Sequence, residues 1–201
     1  MQWQYSAKRY YMVLGSKIPI QISSKACIYA AVLLMAVPFP WLLSWVIAAV
    51  WHELCHCIAL ILCSKNIDGI VIDVYGAKIH AAALEPAQTV FSALAGPLGG
   101  CLLIFLYHHF PRVSICALCQ TIVNLLPIFP LDGGRALFAF FQMLFTETQL
   151  KIISNTIQVL ILGVLTIISI LSVFVWNLGL LPLILTVSLV IRTKKRKIPC
   201  K

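Results

Sequence analysis

Three ionisable side chains lie within five residues of a long apolar run. His52 and His56 are four positions apart, so on a helix both imidazoles lie on one face. Two imidazoles at this spacing can bind one zinc ion, and Glu53 can reach the open coordination position and take a proton from a water there. Zinc lowers the pKa of such a water to about 7. The alternative is two interior histidines paired with a glutamate, which packing alone explains poorly because ionisable groups in an apolar span are costly.

A zinc site with two histidines needs a third protein ligand, and the chain has only six acidic residues. Asp132 follows Pro127 and Pro130 and precedes Gly133 and Gly134. The prolines break the helix and free backbone groups, which a membrane tolerates only beside protein or a water-filled cavity. A carboxylate on irregular backbone at the end of an apolar run suits a metal ligand. The alternative is that Asp132 stops one helix and caps the next.

The composition around these residues excludes an ordinary soluble enzyme. Hydrophobic residues make up 61% of the 201 residues, charged residues only 10%, and the mean hydropathy is +0.98. A soluble domain is usually about 45–50% apolar and about 25% charged. A helix that crosses a membrane needs about 20 residues. The apolar runs predict six spans, at 24–38, 41–63, 88–109, 113–131, 150–175 and 178–191.

The basic residues predict how these spans are oriented. The formal net charge is +9, and with the N-terminus inside, 14 of the 15 Lys and Arg fall on the inside and only Arg112 outside. The positive-inside rule therefore favours six spans with both termini cytoplasmic. The cations cluster at the two ends, where we expect them to attract anionic lipids. Nucleic-acid binding is disfavoured because no stacking platform or folded basic domain accompanies the charge.

Two short segments predict strands beside the spans. Residues 18–22 alternate as a strand does, and residues 70–81 predict a β-hairpin around a turn at Gly76. We expect these strands to pair with an extended substrate by β-addition. The candidate substrate-binding positions are Ile70, Ile72, Val74 and Gly76.

Two motifs together resemble a known family. The run from His52 to His56 and the run from Asn124 to Gly134 resemble the motifs of the site-2 proteases, the intramembrane zinc metalloproteases of peptidase family M50. The likeness is greatest to the sporulation branch of that family, which processes sigma-factor precursors. It covers roughly residues 15–190 and includes Gly96 beside Pro97 in the third span.

The resemblance implies a zinc ion bound by His52, His56 and Asp132, with Glu53 as general base and acid. It also implies that Asn124 steadies the substrate backbone or the developing oxyanion, as an amide donor can. For Asn124 the alternative is a hydrogen bond between helices. The chain departs from the family at position 55, where Cys55 stands in place of the usual Gly or Ala.

These inferences predict an all-α polytopic membrane protein with six transmembrane helices and a small membrane-associated β-hairpin or sheet. We expect one catalytic domain, with an interfacial basic-aromatic segment at 1–17, a membrane core at 18–191 and a basic cytoplasmic tail at 192–201. No regulatory domain is expected, so control would come from a separate membrane partner or from substrate supply.

The predicted function is an intramembrane zinc endopeptidase in a bacterial cell membrane, acting on a membrane-embedded or membrane-tethered protein. A sporulation sigma-factor precursor is one such substrate. A metal-ion transporter is the alternative from another class, but the spans hold no further line of acidic or histidine residues. A catalytically inactive scaffold is disfavoured because metal ligation alone does not require Glu53.

Overall fold

The computed structural model describes residues 2–6, 9–14, 20–23, 27, 31–35, 37–63, 67–73, 76–81, 83–174 and 181–195. The helices are α1 (Phe39–Leu62), α2 (Pro86–Phe105), α3 (Pro111–Leu125), α4 (Asp132–Gln142), α5 (Glu147–Phe174) and α6 (Leu181–Lys195). Residues 31–35 are also helical. The strands are β1 (Gln2–Ser6), β2 (Arg9–Leu14), β3 (Ile20–Ser23), β4 (Ile67–Asp73) and β5 (Gly76–Ala81).

Helices α1, α2 and α3 pack against one another, and α4 packs against α2. Small side chains line the contacts, since Ala48, Ala93 and Ala117 are at most 2% exposed. Short side chains let helix backbones approach closely, which is how helices associate where lipid removes the hydrophobic driving force. Polar side chains on α1 and α3 reinforce this packing. Trp51 Nε1 donates to the carbonyl of Gly99 at 2.8 Å, and Gln120 Nε2 donates to that of Trp45 at 3.0 Å.

Helices α5 and α6 form a second pair. Ser169 on α5 and Thr186 on α6 are both buried and share a hydrogen bond. Within the described ranges, α5 contacts only α4 and α6 among the other helices. Most of its apolar side chains are exposed. Such a surface is what a helix facing lipid presents.

Three helices are long and apolar enough to cross a membrane, namely α1, α2 and α5. Helix α3 has 15 residues, about 22 Å, against a hydrocarbon core of about 30 Å. The predicted fourth span, 113–131, therefore ends early as a helix, because Pro127 and Pro130 follow its last turn. The sequence analysis made no separate prediction of α4, which begins at Asp132 directly after this irregular segment.

The five strands form one sheet in the order β1-β2-β3-β4-β5. Strands β3 and β4 are parallel, with Ile20 opposite Ile70, and the other neighbours are antiparallel. Strands β4 and β5 are the pair expected around Gly76. The sheet is larger than expected, because segment 1–17, predicted only as interfacial, contributes β1 and β2.

Several predicted features fall outside the described residues. These are position 74 with the turn residue 75, the beginning of the strand at 18–22, the link at 176–177, and the tail from 196 onward.

Candidate metal centre

Helix α1 carries the two histidines on its buried side. His52 is 5% exposed and His56 is 7% exposed, although much of the same helix faces outward. One helical turn separates them, and their ring centroids are 4.8 Å apart with the rings nearly perpendicular. The expected placement of both imidazoles on one face is therefore present.

Asp132 reaches these histidines from α4. Its Oδ2 lies 3.0 Å from His52 Nε2 and 3.2 Å from His56 Nε2, while the two Nε2 atoms are 3.1 Å apart. Asp132 is the first residue of α4, and no side chain caps this helix. The alternative role as an N-cap is therefore wrong, and the carboxylate is directed toward the histidines.

The donor chemistry of these three groups fits a bound cation. His56 Nδ1 lies 2.6 Å from the carbonyl oxygen of Ser92, which can only accept a hydrogen bond, so Nδ1 carries the proton. In a neutral His56 the Nε2 lone pair then faces Asp132 Oδ2 and His52 Nε2. A metal cation bound among the three atoms would be coordinated by the His56 lone pair together with the other two groups.

The spacing of the three atoms also suits zinc. Tetrahedral zinc with ligand bonds of about 2.0–2.1 Å holds its ligand atoms about 3.3 Å apart. The observed separations of 3.0–3.2 Å are close to that value. His52, His56 and Asp132 therefore form a group that can hold a metal ion.

Gly96 provides the space beside the imidazoles. A Cβ at this position would lie 2.6 Å from His52 Nε2 and would contact His56 as well. Helix α2 can approach the histidines this closely only because position 96 lacks a side chain. From the sequence, Gly96 was named only beside Pro97 as part of the family resemblance, and its contact with the histidines was not predicted.

Two further ionisable residues, Glu53 and Arg135, lie near the metal group. Glu53 is half-buried and lies within electrostatic range of His52, His56 and Asp132, and also of Arg135. Arg135 NH1 is 3.6 Å from Asp132 Oδ1, so the two carboxylate oxygens face different partners. The sequence analysis did not single out Arg135, although its spacing from Asp132 places both on one helix face.

The electrostatics favour an ionised Asp132. Burial raises the pKa of its carboxyl, but the contacts with His52 and His56 outweigh burial and hold that pKa well below the usual range. The carboxylate therefore keeps the charge that a metal ligand requires.

Asn124 stands next to the metal group on α3. Its side-chain nitrogen lies 3.3 Å from His52 Nε2. This contact joins α3 to α1, and a hydrogen bond between helices was the alternative role for Asn124. It also brings the amide within reach of a group bound at the centre.

The predicted substrate-binding positions divide into two groups. Ile70 and Ile72 lie on β4, whose backbone already pairs with β3 on one side and β5 on the other. A substrate strand therefore cannot add at Ile70 or Ile72, and the same holds for the predicted strand that became β3. Gly76 begins β5, which is an edge of the sheet within the described residues.

Among the residues that the structure describes, no cysteine belongs to the metal group. Cys55 contacts α2 instead, where a Cβ at Gly99 would lie 2.9 Å from Cys55 Cβ. The seven cysteines among the described residues are all free.

Part of the sequence matches a known protein family, and the fold is similar to that of a solved structure. Residues 103–171 match the family model described as peptidase family M50. This segment contains Asn124 and Asp132, whereas the two histidines lie before it. The fold is similar to that of the site-2 protease from Methanocaldococcus jannaschii, with a TM-score of 0.67 and 18% identity over 96% of this chain and 98% of that chain. No curated protein matches the sequence significantly.

The family model therefore covers about a third of the chain, and the structural likeness shows a fold shared with that protease. Three of this chain's helices are long and apolar enough to cross a membrane, and His52, His56 and Asp132 form a candidate metal site. The comparisons do not single out the sporulation branch.

Proposed function

We propose that this protein is an intramembrane zinc metalloprotease of peptidase family M50. It cleaves a peptide bond in a membrane-embedded or membrane-tethered protein, with Glu53 as its general base. One observation carries the proposal: two imidazole nitrogens from the apolar helix α1 and a carboxylate oxygen from α4 lie within 3.2 Å of one another. In this reading His52, His56 and Asp132 hold zinc, and Glu53 remains free for proton transfer.

Each side chain has a separate task in peptide hydrolysis. Zinc, when bound, supplies a Lewis acid that polarises the scissile carbonyl and acidifies water. The Glu53 carboxylate takes a proton from the attacking water and returns it to the leaving amide nitrogen, so that one water yields a carboxyl and an amine. Asn124 donates its amide hydrogen toward the substrate backbone or the developing oxyanion.

The substrate must reach this centre in an extended form. A helix keeps its amides within its own hydrogen-bond ladder, so a helical segment has to unwind before attack. The edge strand β5, from Gly76 to Ala81, has one side of its backbone free of partners within the described sheet. An unwound segment that pairs with this edge would gain backbone hydrogen bonds in place of those it lost.

The proposal extends to the orientation of the protein in its membrane and to the identity of its substrate. We place the catalytic domain in a bacterial cell membrane with six spans, both termini cytoplasmic and anionic lipid at the basic ends, on the basis of the charge distribution. A sigma-factor precursor tethered to that membrane is a candidate substrate, supported by the likeness of the two motifs to the sporulation branch.

A comparison of wild-type protein with Glu53→Gln tests the proposed reaction. Since Glu53 is a base and not a ligand, the variant should keep its zinc while cleavage falls by about 10²–10⁴-fold. The measurement pairs zinc content of the purified protein with proteomics of membrane fractions from cells that express either form. Membrane proteins that accumulate uncut only with the variant are the expected substrates. Equal cleavage by both proteins would overturn the role of Glu53.

A further inference from the structure

The irregular segment before Asp132 determines where the carboxylate lies. It runs from 126 to 131 between α3 and α4. Pro127 and Pro130 have no N–H, so the segment holds only four backbone donors. Three of these bond locally: Leu126 to the carbonyl of Val123, Ile128 to that of Leu126, and Leu131 to that of Ile128, at 3.2, 2.7 and 2.8 Å.

The fourth donor is bonded from outside the segment. The amide N–H of Phe129 donates to Oε1 of Gln158, at 3.2 Å, and Gln158 is half-buried on α5. Helix α5 has a span-length window of mean hydropathy 2.6. A polar amide in such a helix, and an N–H with no other acceptor, are both costly in a membrane without a partner. The two groups satisfy each other.

The Phe129 amide also lies directly against the start of α4. A Cβ at Gly134 would lie 2.5 Å from Phe129 N, and Ile128 beside it is completely buried. The first turn of α4, which carries Asp132, thus packs against the same peptide group that donates its hydrogen bond to Gln158. A shift of the Phe129 peptide would move Asp132 relative to His52 and His56, which belong to another helix.

We infer that Gln158 is a positioning residue, which fixes the segment before Asp132 through the Phe129 amide and thereby sets the affinity for the metal ion. Gln158 does not contact the metal group and is not itself catalytic. The inference deepens the proposed function, because it depends on Asp132 as a zinc ligand, but it does not depend on proteolysis.

Three substitutions on α5 test this role. Gln158→Met keeps the length of the side chain and removes the acceptor oxygen, whereas Gln158→Glu retains an oxygen at the same distance. Asn155→Met is the matched control, because Asn155 is exposed on the same helix. All three are made in the Glu53→Gln background, so that no difference in cleavage can affect the result.

The measurement is zinc affinity of the full-length protein in detergent, by competition with a chelator. Loss of a group that orients a metal ligand typically lowers affinity by about 10–100-fold. The parent protein for these comparisons carries Glu53→Gln alone. Gln158→Met should weaken zinc binding by about tenfold or more, while Gln158→Glu and Asn155→Met should stay within about threefold of this parent. Hydrogen exchange of residues 126–131 should quicken in Gln158→Met alone.

The outcomes separate this inference from the proposed function. If Gln158→Met binds zinc as tightly as the parent, or if Gln158→Glu is as weak as Gln158→Met, the positioning role is wrong. If the parent binds zinc but wild-type protein cleaves nothing, proteolysis fails and the positioning role stands. Should Gln158→Met not fold, Gln158→Asn, whose amide is one methylene too short, replaces it with the same expected direction.

Discussion

At the scale of single residues, the proposed zinc site takes its carboxylate from a different helix than its two histidines. Asp132→Asn keeps the size and shape of the side chain and removes its charge. A neutral amide oxygen is a weaker zinc ligand, so zinc content and cleavage should fall together. Zinc measured against protein in the purified variant, beside Glu53→Gln as a control that retains zinc, gives the comparison. Full zinc occupancy with unchanged affinity would exclude Asp132 as the third ligand.

Gly96 gives a second prediction at this scale. Gly96→Ala places a Cβ against the imidazoles of His52 and His56, so the rings must move and zinc binding should weaken. Gly163→Ala is the matched control, because a Cβ there has no heavy atom within 4 Å. An alanine in a helix interior is up to about 1 kcal/mol more favourable than glycine, so the control should be neutral or slightly stabilising. Zinc affinity and thermal unfolding of both variants check this. Equal affinities would mean that the contact with Gly96 does not constrain the centre.

At the scale of elements, β5 is one of the two edge strands of the described sheet and the one that we propose to pair with a substrate. Successive residues of a strand direct their N–H groups alternately to its two sides. Lys78 and Ile79 are neighbours on β5, so a proline at one of them removes a donor toward β4, and a proline at the other removes a donor toward the open edge. The proline on the open side should leave the thermal midpoint nearly unchanged and weaken cleavage about fivefold through KM, the equivalent of about 1 kcal/mol for one hydrogen bond. The other proline should destabilise the sheet. If neither variant changes KM, a substrate does not pair with β5.

The elements also show which parts of the site the sequence could predict. The spacing of His52 and His56 and the proline-rich approach to Asp132 depend on local periodicity and on residue chemistry, and both were predictable. The contacts of His56 with the Ser92 carbonyl and of Phe129 with Gln158 join positions 36 and 29 residues apart. They arise from how whole helices pack, and no local pattern specifies that packing.

The sheet shows the same limit. The pair of strands around Gly76 followed from their alternation and turn. Strand β1 went unpredicted because five polar and aromatic residues at 2–6 are equally typical of a membrane-interface segment. The role of β4 as an interior strand depends on the parallel partner β3, whose paired residues lie fifty positions earlier in the chain. The pairing of strands so far apart in the sequence, and not the β-propensity of their residues, therefore determines which strands lie at the edges of the sheet and can still pair with a substrate.

At the scale of the whole molecule, the number of membrane crossings can be tested directly. Helices α1, α2 and α5 can span by length and composition, and the six-span proposal adds the segments 24–38, 113–131 and 178–191. Its physical basis is the charge distribution, because a cation is retained on the cytoplasmic side during insertion. An odd number of crossings would transfer one group of these cations to the outside.

Reporter fusions that are active on only one side of the membrane read this arrangement. Fusions after residue 38, near 111 and near 177 should report the outside, and those near 75, 142 and 201 the inside. Position 177 is the most informative, because α5 alone separates it from 142, while α6 has only 15 helical residues. If 177 and 201 report the same side, α6 does not cross and the C-terminus lies opposite to the proposed side. As a control, replacement of Arg112 by Gln, which removes the lone cation assigned to the outside, should leave every reading unchanged because the remaining bias already favours that orientation.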